Sequence, residues 1–316
     1  MSTTTAAAGL TEFKVLFATQ FSDSCFRAIR GVAQLADAFR MHVTIAHVGP
    51  AERAVESELR SFFAEADHYP SRDRIRLEGS PVEALSTFAR SGAYDLVVAP
   101  RTYRLGLPRP LHRSTRAGLL RASQTPVWTI SRGLEEADFR RTYKTVAVFV
   151  DGREQNMSHV EQAAAFAARV GAQLRVLTVV PQVHEDALVA HPLLRQPLSA
   201  EVAEERIHEL LSGWSRLPTV DVTTGTPDRE LPKMAAKCEA DLLFLSETQS
   251  CEGRLFRQMR RAVDQSPCPV IAVPPTASRW FRERTIAGSQ SAAAAAAETV
   301  RLLGGVATES AGTQAI

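Results

Sequence analysis

Apolar residues recur along this chain with two periods, and the order in which the periods alternate is itself repeated. Lys14 to Gln20 and Thr145 to Asp151 are short, mostly apolar runs of the length expected for buried strands. After the first, Ile29, Val32, Ala33 and Ala36 are spaced three and four apart; after the second, Val160, Ala163, Ala164 and Ala167 repeat that spacing. Each set is the stripe of a helix with one buried face. One constant offset carries Gln20 onto Asp151, Ile29 onto Val160, Ala36 onto Ala167, Val43 onto Leu174 and Pro50 onto Pro181. A whole β-α-β segment is thus written twice without a gap.

Beyond that segment the second copy has a longer excursion, Gln182 to Leu198, broken by His191-Pro192 and Gln196-Pro197. Each copy then predicts an amphipathic helix, with Val55, Leu59, Phe62 and Phe63 on its face in one and Ile207, Leu210, Leu211 and Trp214 in the other. Short alternating strands follow, Arg74 to Leu77 and Val220 to Thr223, and then Gly79-Ser80-Pro81 and Gly225-Thr226-Pro227 ahead of another helix. Proline suits a helix start because the amide it lacks has no intrahelical partner there. The last parts of each copy are an apolar strand (Asp95 to Ala99, Asp241 to Leu245), an arginine-rich stretch with a helix, and a Pro-Val strand (Thr125 to Ile130, Cys268 to Val273).

Strands alternating with helices imply parallel sheets covered on both faces. The expected fold is α/β, two tandem five-stranded parallel-sheet, Rossmann-like domains at 12–132 and 142–275. A charged linker spans 133–141, a disordered N-terminus 1–11, and a flexible Ala-rich tail 276–316. Ser291 to Leu303 in that tail has too few large apolar residues for a stable lone helix.

Composition narrows the class. A chain of 316 residues suits two domains, each able to bury a core. The 45% hydrophobic and 23% charged shares are those of a globular protein. A net charge of +2 does not by itself imply a nucleic-acid or membrane partner, so electrostatics must rest on local clusters. No apolar run approaches the roughly 18 residues of a membrane span. The start has neither a basic n-region nor a long apolar h-region. Cys25, Cys238, Cys251 and Cys268 match no zinc or disulfide framework, and a cytoplasmic location is expected.

These landmarks together resemble the universal stress protein family in its tandem form. The likeness rests on Ala18-Thr19-Gln20-Phe21-Ser22 at the first strand's end, His47-Val48 at the second's, Gly-x-Pro before a helix, Asp-Leu opening the fourth strand, and Pro-Val in the last. The resemblance implies that the last strands of the two domains pair across a pseudo-twofold axis. It also implies a stress-response, regulatory binding role, and for many members ATP held by an aspartate after the first strand and a loop Gly-x-x-Gly, nine residues, then Gly-Ser or Gly-Thr. Glycines there let backbone amides approach phosphate.

Laid onto that loop, the first copy has Pro100, Tyr103 and Arg113 at the glycine positions, followed by Ser114, and Gln20 at the aspartate position. The second copy keeps Asp151 but has Ser246, Gln249, Phe256 and Arg257 at the loop positions. The ATP signature is therefore degenerate in both. In its place stand Arg101, Arg104, Arg109, Arg113, Arg116 and Arg121 in one copy, and Arg254, Arg257, Arg260 and Arg261 in the other. Guanidinium forks bind phosphate bidentately without a glycine cradle. Two readings follow: a non-enzymatic regulatory protein without cofactor, acting on a protein partner or as a homodimer, or an adenine-nucleotide (ATP or related) binder, with slow ATPase activity as an extension. In the second reading Asp151, Ser114, Arg113, Arg101, Arg104, Arg254 and Arg257 contact the nucleotide or another anionic small molecule. No metal site or catalytic constellation is present in the pattern, and nucleic acid is disfavoured because no aromatic platform accompanies the arginines. Ser22 to Ser24 read as a helix-start cap, Cys25 as a core residue, His47 as structural and Cys251 as the exposed thiol.

Overall fold

The computed structural model describes residues 13–39, 41–63, 72–100, 115–129, 142–151, 157–180, 199–214, 217–246 and 254–274. The expected N-terminal segment, linker and tail lie outside these residues.

Chain order in the first half is β1 (Phe13–Thr19), α1 (Asp23–Phe39), β2 (Met41–Val48), α2 (Arg53–Ser61), β3 (Arg72–Leu77), α3 (Pro81–Ser91), β4 (Leu96–Val98), α4 (Thr115–Ala122) and β5 (Val127–Thr129). The second half repeats it: β6 (Thr145–Phe149), α5 (Ser158–Val170), β7 (Gln173–Val180), α6 (Ala200–Leu210), β8 (Thr219–Thr224), α7 (Pro227–Lys237), β9 (Leu242–Ser246), α8 (Arg254–Gln265) and β10 (Val270–Val273). All strands lie in one ten-stranded sheet ordered β3-β2-β1-β4-β5-β10-β9-β6-β7-β8. Within each half every pairing is parallel, and the halves join through antiparallel β5 and β10. Val127 lies opposite Ala272, Trp128 opposite Ile271 and Thr129 opposite Val270. Exchanging repeat-equivalent residues maps this register onto itself, which is the pseudo-twofold pairing expected of the last strands.

Central strands read as apolar runs because both faces are covered: Val15, Leu16, Phe17, Val97, Val98, Val146, Val148, Leu243 and Phe244 are all buried. Right-handed crossovers put α1, α2, α5 and α6 on one face and the other four helices on the opposite face. α1 meets α5 across the junction, α3 packs on α4, and α7 on α8.

Small devices recur in both halves and explain several sequence landmarks. The Asp95 carboxylate accepts the Lys14 amide at 2.8 Å, and that of Asp241 accepts the amides of Lys144 and Thr145 at 2.7 and 2.9 Å. The aspartate opening each fourth strand therefore ties down the start of the central strand. Gly79 and Gly225 have φ of 98° and 145°, which explains glycine before each Pro-initiated helix. Ala93 and Glu239 both take left-handed φ of 50°, and the amides that follow them return to Ala89 and Ala235, so α3 and α7 end in the same reversal. Ser123 and Ser266 each hydrogen-bond a carbonyl two residues on, at 2.7 and 2.8 Å.

Of the predicted helix faces, Ile29, Val32, Leu59, Val160, Ala163 and Ala167 are buried, Ala33, Val55 and Ala164 are half-buried, and Phe62, Phe63 and Trp214 fall past the ends of their helices. Ile207 and Leu211 are buried, but Leu210 is exposed on α6. It follows Ile207 by three positions yet falls beyond the edge of the stripe set by Ala203, Ile207 and Leu211.

Candidate functional site

In each half the strand order reverses direction between the central strand and its fourth-strand neighbour. The crevice at the carboxyl ends of those strands is where open α/β sheets bind ligands. These are the ends of β1 and β4 in one half and of β6 and β9 in the other.

Beside the first of these crevices, on the β2 side of β1, the chain sets one of its own rings. Phe21, two residues past β1, has φ of 57°, a left-handed conformation that costs a bulky residue about 1–2 kcal/mol. Its amide donates to Thr19 Oγ1 at 3.0 Å. Its ring stacks on His47, centroids 4.5 Å apart and planes 19° from parallel, and meets Phe62 edge-on at 5.8 Å. His47 Nδ1 donates to the Thr19 carbonyl at 3.0 Å, so that nitrogen carries the proton. Gly49 leaves room for the imidazole, since a Cβ there would sit 2.7 Å from Nε2. Phe62 is buried and also touches Phe17 and Phe26, which makes the stack the end of the hydrophobic core. Pro100, at the first loop position after β4, is buried as well.

The second crevice keeps the clasp without the stack. Thr178 occupies the position of His47 and donates to the Val150 carbonyl at 3.1 Å, as His47 does to Thr19. Asp151 follows, half-buried, at the end of β6. His159, buried on α5, bonds the Phe149 carbonyl at 3.0 Å through Nε2 and fixes the strand end from below. Ser246 ends β9, and the backbone is helical from Arg254 onward. Arg254 and Arg257 thus lie in the first turn of α8, where amides have no intrahelical acceptor and the helix dipole favours an anion. The side chains of Arg254, Phe256 and Arg257 lie outside what the structure describes.

Arg101, Arg104, Arg109, Arg113 and Ser114 also lie outside the described residues, as do Tyr103, Gln249 and Cys251. Two other arginines of the clusters are engaged in packing. Arg116 is buried, donates to Asp264 of α8, and reaches Thr129 Oγ1 at 3.5 Å. Arg261 lies 3.6 Å from Asp228 of α7, whose carboxyl is held below its ordinary range first by the Thr226 hydroxyl and then by Arg261. Arg121 and Arg260 are exposed.

Ser22 begins α1 with its backbone carbonyl, which accepts the amides of Cys25 and Phe26, while its hydroxyl donates to Cys25 Sγ at 3.3 Å. Cys25 is fully buried, as expected for a core residue. Burial also pushes the Cys268 thiol up to about 12 and raises Cys238 and the Tyr143 hydroxyl, so none of these groups is ionised near neutrality. Among the described residues no group of three or more His, Cys, Asp or Glu is placed to hold a metal, and no helix is long and apolar enough to cross a membrane. Sequence reasoning missed the Phe21–His47 stack. Its signal was available: Phe21 stands where the second copy has Gly152.

The strand order defines an α/β protein with one switch point in each half. Residues 142–274 match the universal stress protein family, and this segment is a domain of that family. Among solved structures, a universal stress protein from Archaeoglobus fulgidus DSM 4304 superimposes with TM-score 0.62 at 13% identity, covering 84% of this chain and 97% of that one. A functionally unknown protein from Pseudomonas aeruginosa PAO1 gives TM-score 0.60 at 13% identity, covering 89% and 98%. Both span nearly the whole of this chain, so the likeness of fold extends to the first half. A universal stress protein solved in complex with cAMP is 26% identical over 38% of this chain and 96% of its own, with TM-score 0.34. No curated protein matches the sequence.

Proposed function

We propose that this chain is a tandem universal-stress-type protein, with domains at 12–132 and 142–275, that acts in the cytoplasm by regulated binding without turnover. The observation that carries this reading is the Phe21–His47 stack, which sets a bulky ring just past the central strand where the second half has Gly152. Pro100 at the first loop position, where an amide donor would be needed, supports it. The output is then contact with a protein partner or a second copy of the chain.

A nucleotide-binding reading is favoured by one specific feature. Asp151 lies two residues past the central strand of the second half, and α8, whose first-turn amides have no intrahelical acceptor, follows β9 on the other side of the same switch point. An adenine nucleotide there would take base or ribose contacts from Asp151 and phosphate contacts from α8, Arg254 and Arg257. Arg101, Arg104, Arg113 and Ser114 would serve the same purpose in the first half.

Thermal shift with ATP, ADP, AMP and cAMP at fixed salt separates the readings, because a ligand that binds only the folded state raises apparent stability. The leading reading expects no shift with any of them. A shift lost in Asp151→Ala but kept in Arg113→Ala would replace it with nucleotide binding by the second half.

A further inference from the structure

The junction between the halves is nearly symmetric in backbone and asymmetric in side chains, and each asymmetry favours the same arrangement. The Arg116–Asp264 pair joins α4 to α8. The repeat places Met259 at the position of Arg116 and Arg121 at the position of Asp264, so the symmetry-related contact carries no ion pair. At the centre of the strand pairing, Trp128 of β5 faces Ile271 of β10, both almost fully buried. On the other face of the sheet, Phe39 of α1 stacks on Phe166 of α5 at 5.0 Å, and their repeat equivalents are Val170 and Leu35.

Each asymmetry changes meaning if a half pairs with its own kind. Two first halves joined through β5 would set Arg116 against Arg121 twice and Trp128 against Trp128. Like charges where a guanidinium and a carboxylate now meet, and two indoles where an indole and an isoleucine fit, would both oppose that pairing. Two second halves joined through β10 would set Asp264 against Met259 and Ile271 against Ile271, leaving a carboxylate without its guanidinium and a void at the centre. We propose that Arg116–Asp264, with the large-small match of Trp128 and Ile271, is a pairing code that makes first-half-to-second-half association the only stable use of the β5 and β10 edges. The code prevents these chains from joining to one another, or to a similar single half, through the edges that the fold uses internally.

The test re-writes the code in the full-length chain and reads molar mass by light scattering at several concentrations, alongside the thermal midpoint. Asp264→Arg alone sets Arg116 against a like charge and lowers the midpoint. Exchanging the pair, Arg116→Asp with Asp264→Arg, restores at least half of that loss and leaves the mass as in the wild type. Re-coding, Asp264→Arg with Arg121→Asp, disfavours the internal pairing and offers two first halves a contact between Arg116 and the new carboxylate at position 121. A species of doubled mass that grows with concentration is expected. Should that variant precipitate, Asp264→Asn with Arg121→Asp, near-isosteric at 264, gives the same reading with a smaller doubled fraction. Wild-type mass in the soluble re-coded variant at all concentrations, or an exchanged pair no better than Asp264→Arg, overturns the proposal.

Discussion

The two halves share strand order, strand-end clasps and helix terminations, yet they differ wherever side chains meet across those shared positions. Val82 of α3 packs on Gly118 of α4 so closely that a Cβ at Gly118 would lie 2.4 Å from it. At the equivalent positions of the second half stand Asp228 and Arg261, and the same helix contact is made by an ion pair. His47 and Thr178 accomplish the same clasp with different chemistry, but only His47 also supports an aromatic stack. Backbone geometry persists through duplication because every residue of the sheet depends on it. Side-chain pairs diverge together, since each needs only its own partner to change.

The largest test of that contrast is at the junction. Phe166 touches Phe39, Tyr143 and Phe244, so Phe166→Ala is expected to cost about 3–5 kcal/mol in denaturant unfolding. Its repeat equivalent Leu35 is buried too, and Leu35→Ala should cost less, about 2–3 kcal/mol. Equal losses would show that the junction draws on both helices alike.

Next in size is an effect seen only in alkali. Burial raises the Cys268 thiol to about 12, so the folded state holds its proton longer than the unfolded chain does. Stability from this group is complete below the unfolded thiol value and falls as pH rises through the folded one, by about 2 kcal/mol near pH 10. Cys268→Thr, which installs the residue found at Thr125 of the first half, should flatten that part of the pH profile. An unchanged alkaline slope would remove Cys268 as its source.

Smallest is the helix contact. Gly118→Ala should cost about 1–2 kcal/mol, because Val82 must give way. Arg261→Ala at the matching position should cost less than about 1 kcal/mol, because Arg261 is largely exposed. If both fall together, the ion pair is a stronger tie than its exposure allows.

Period and repeat alone determined the architecture of this protein: strand–helix alternation, the offset from Gln20 to Asp151, and glycine ahead of each Pro-initiated helix. These features are local, since strand and helix periods, positive φ and proline at a helix start are all written within a few residues. The sequence also marked Asp151 and the missing glycines, because a motif is a spacing. Only the tertiary structure decided that Asp95 and Asp241 clamp strand starts, that Arg116 belongs to Asp264 and not to a free basic face, and that Phe21 stacks on His47. Each of those roles is a contact between residues far apart in the chain, and a side chain's partner is set by the fold that brings the two together.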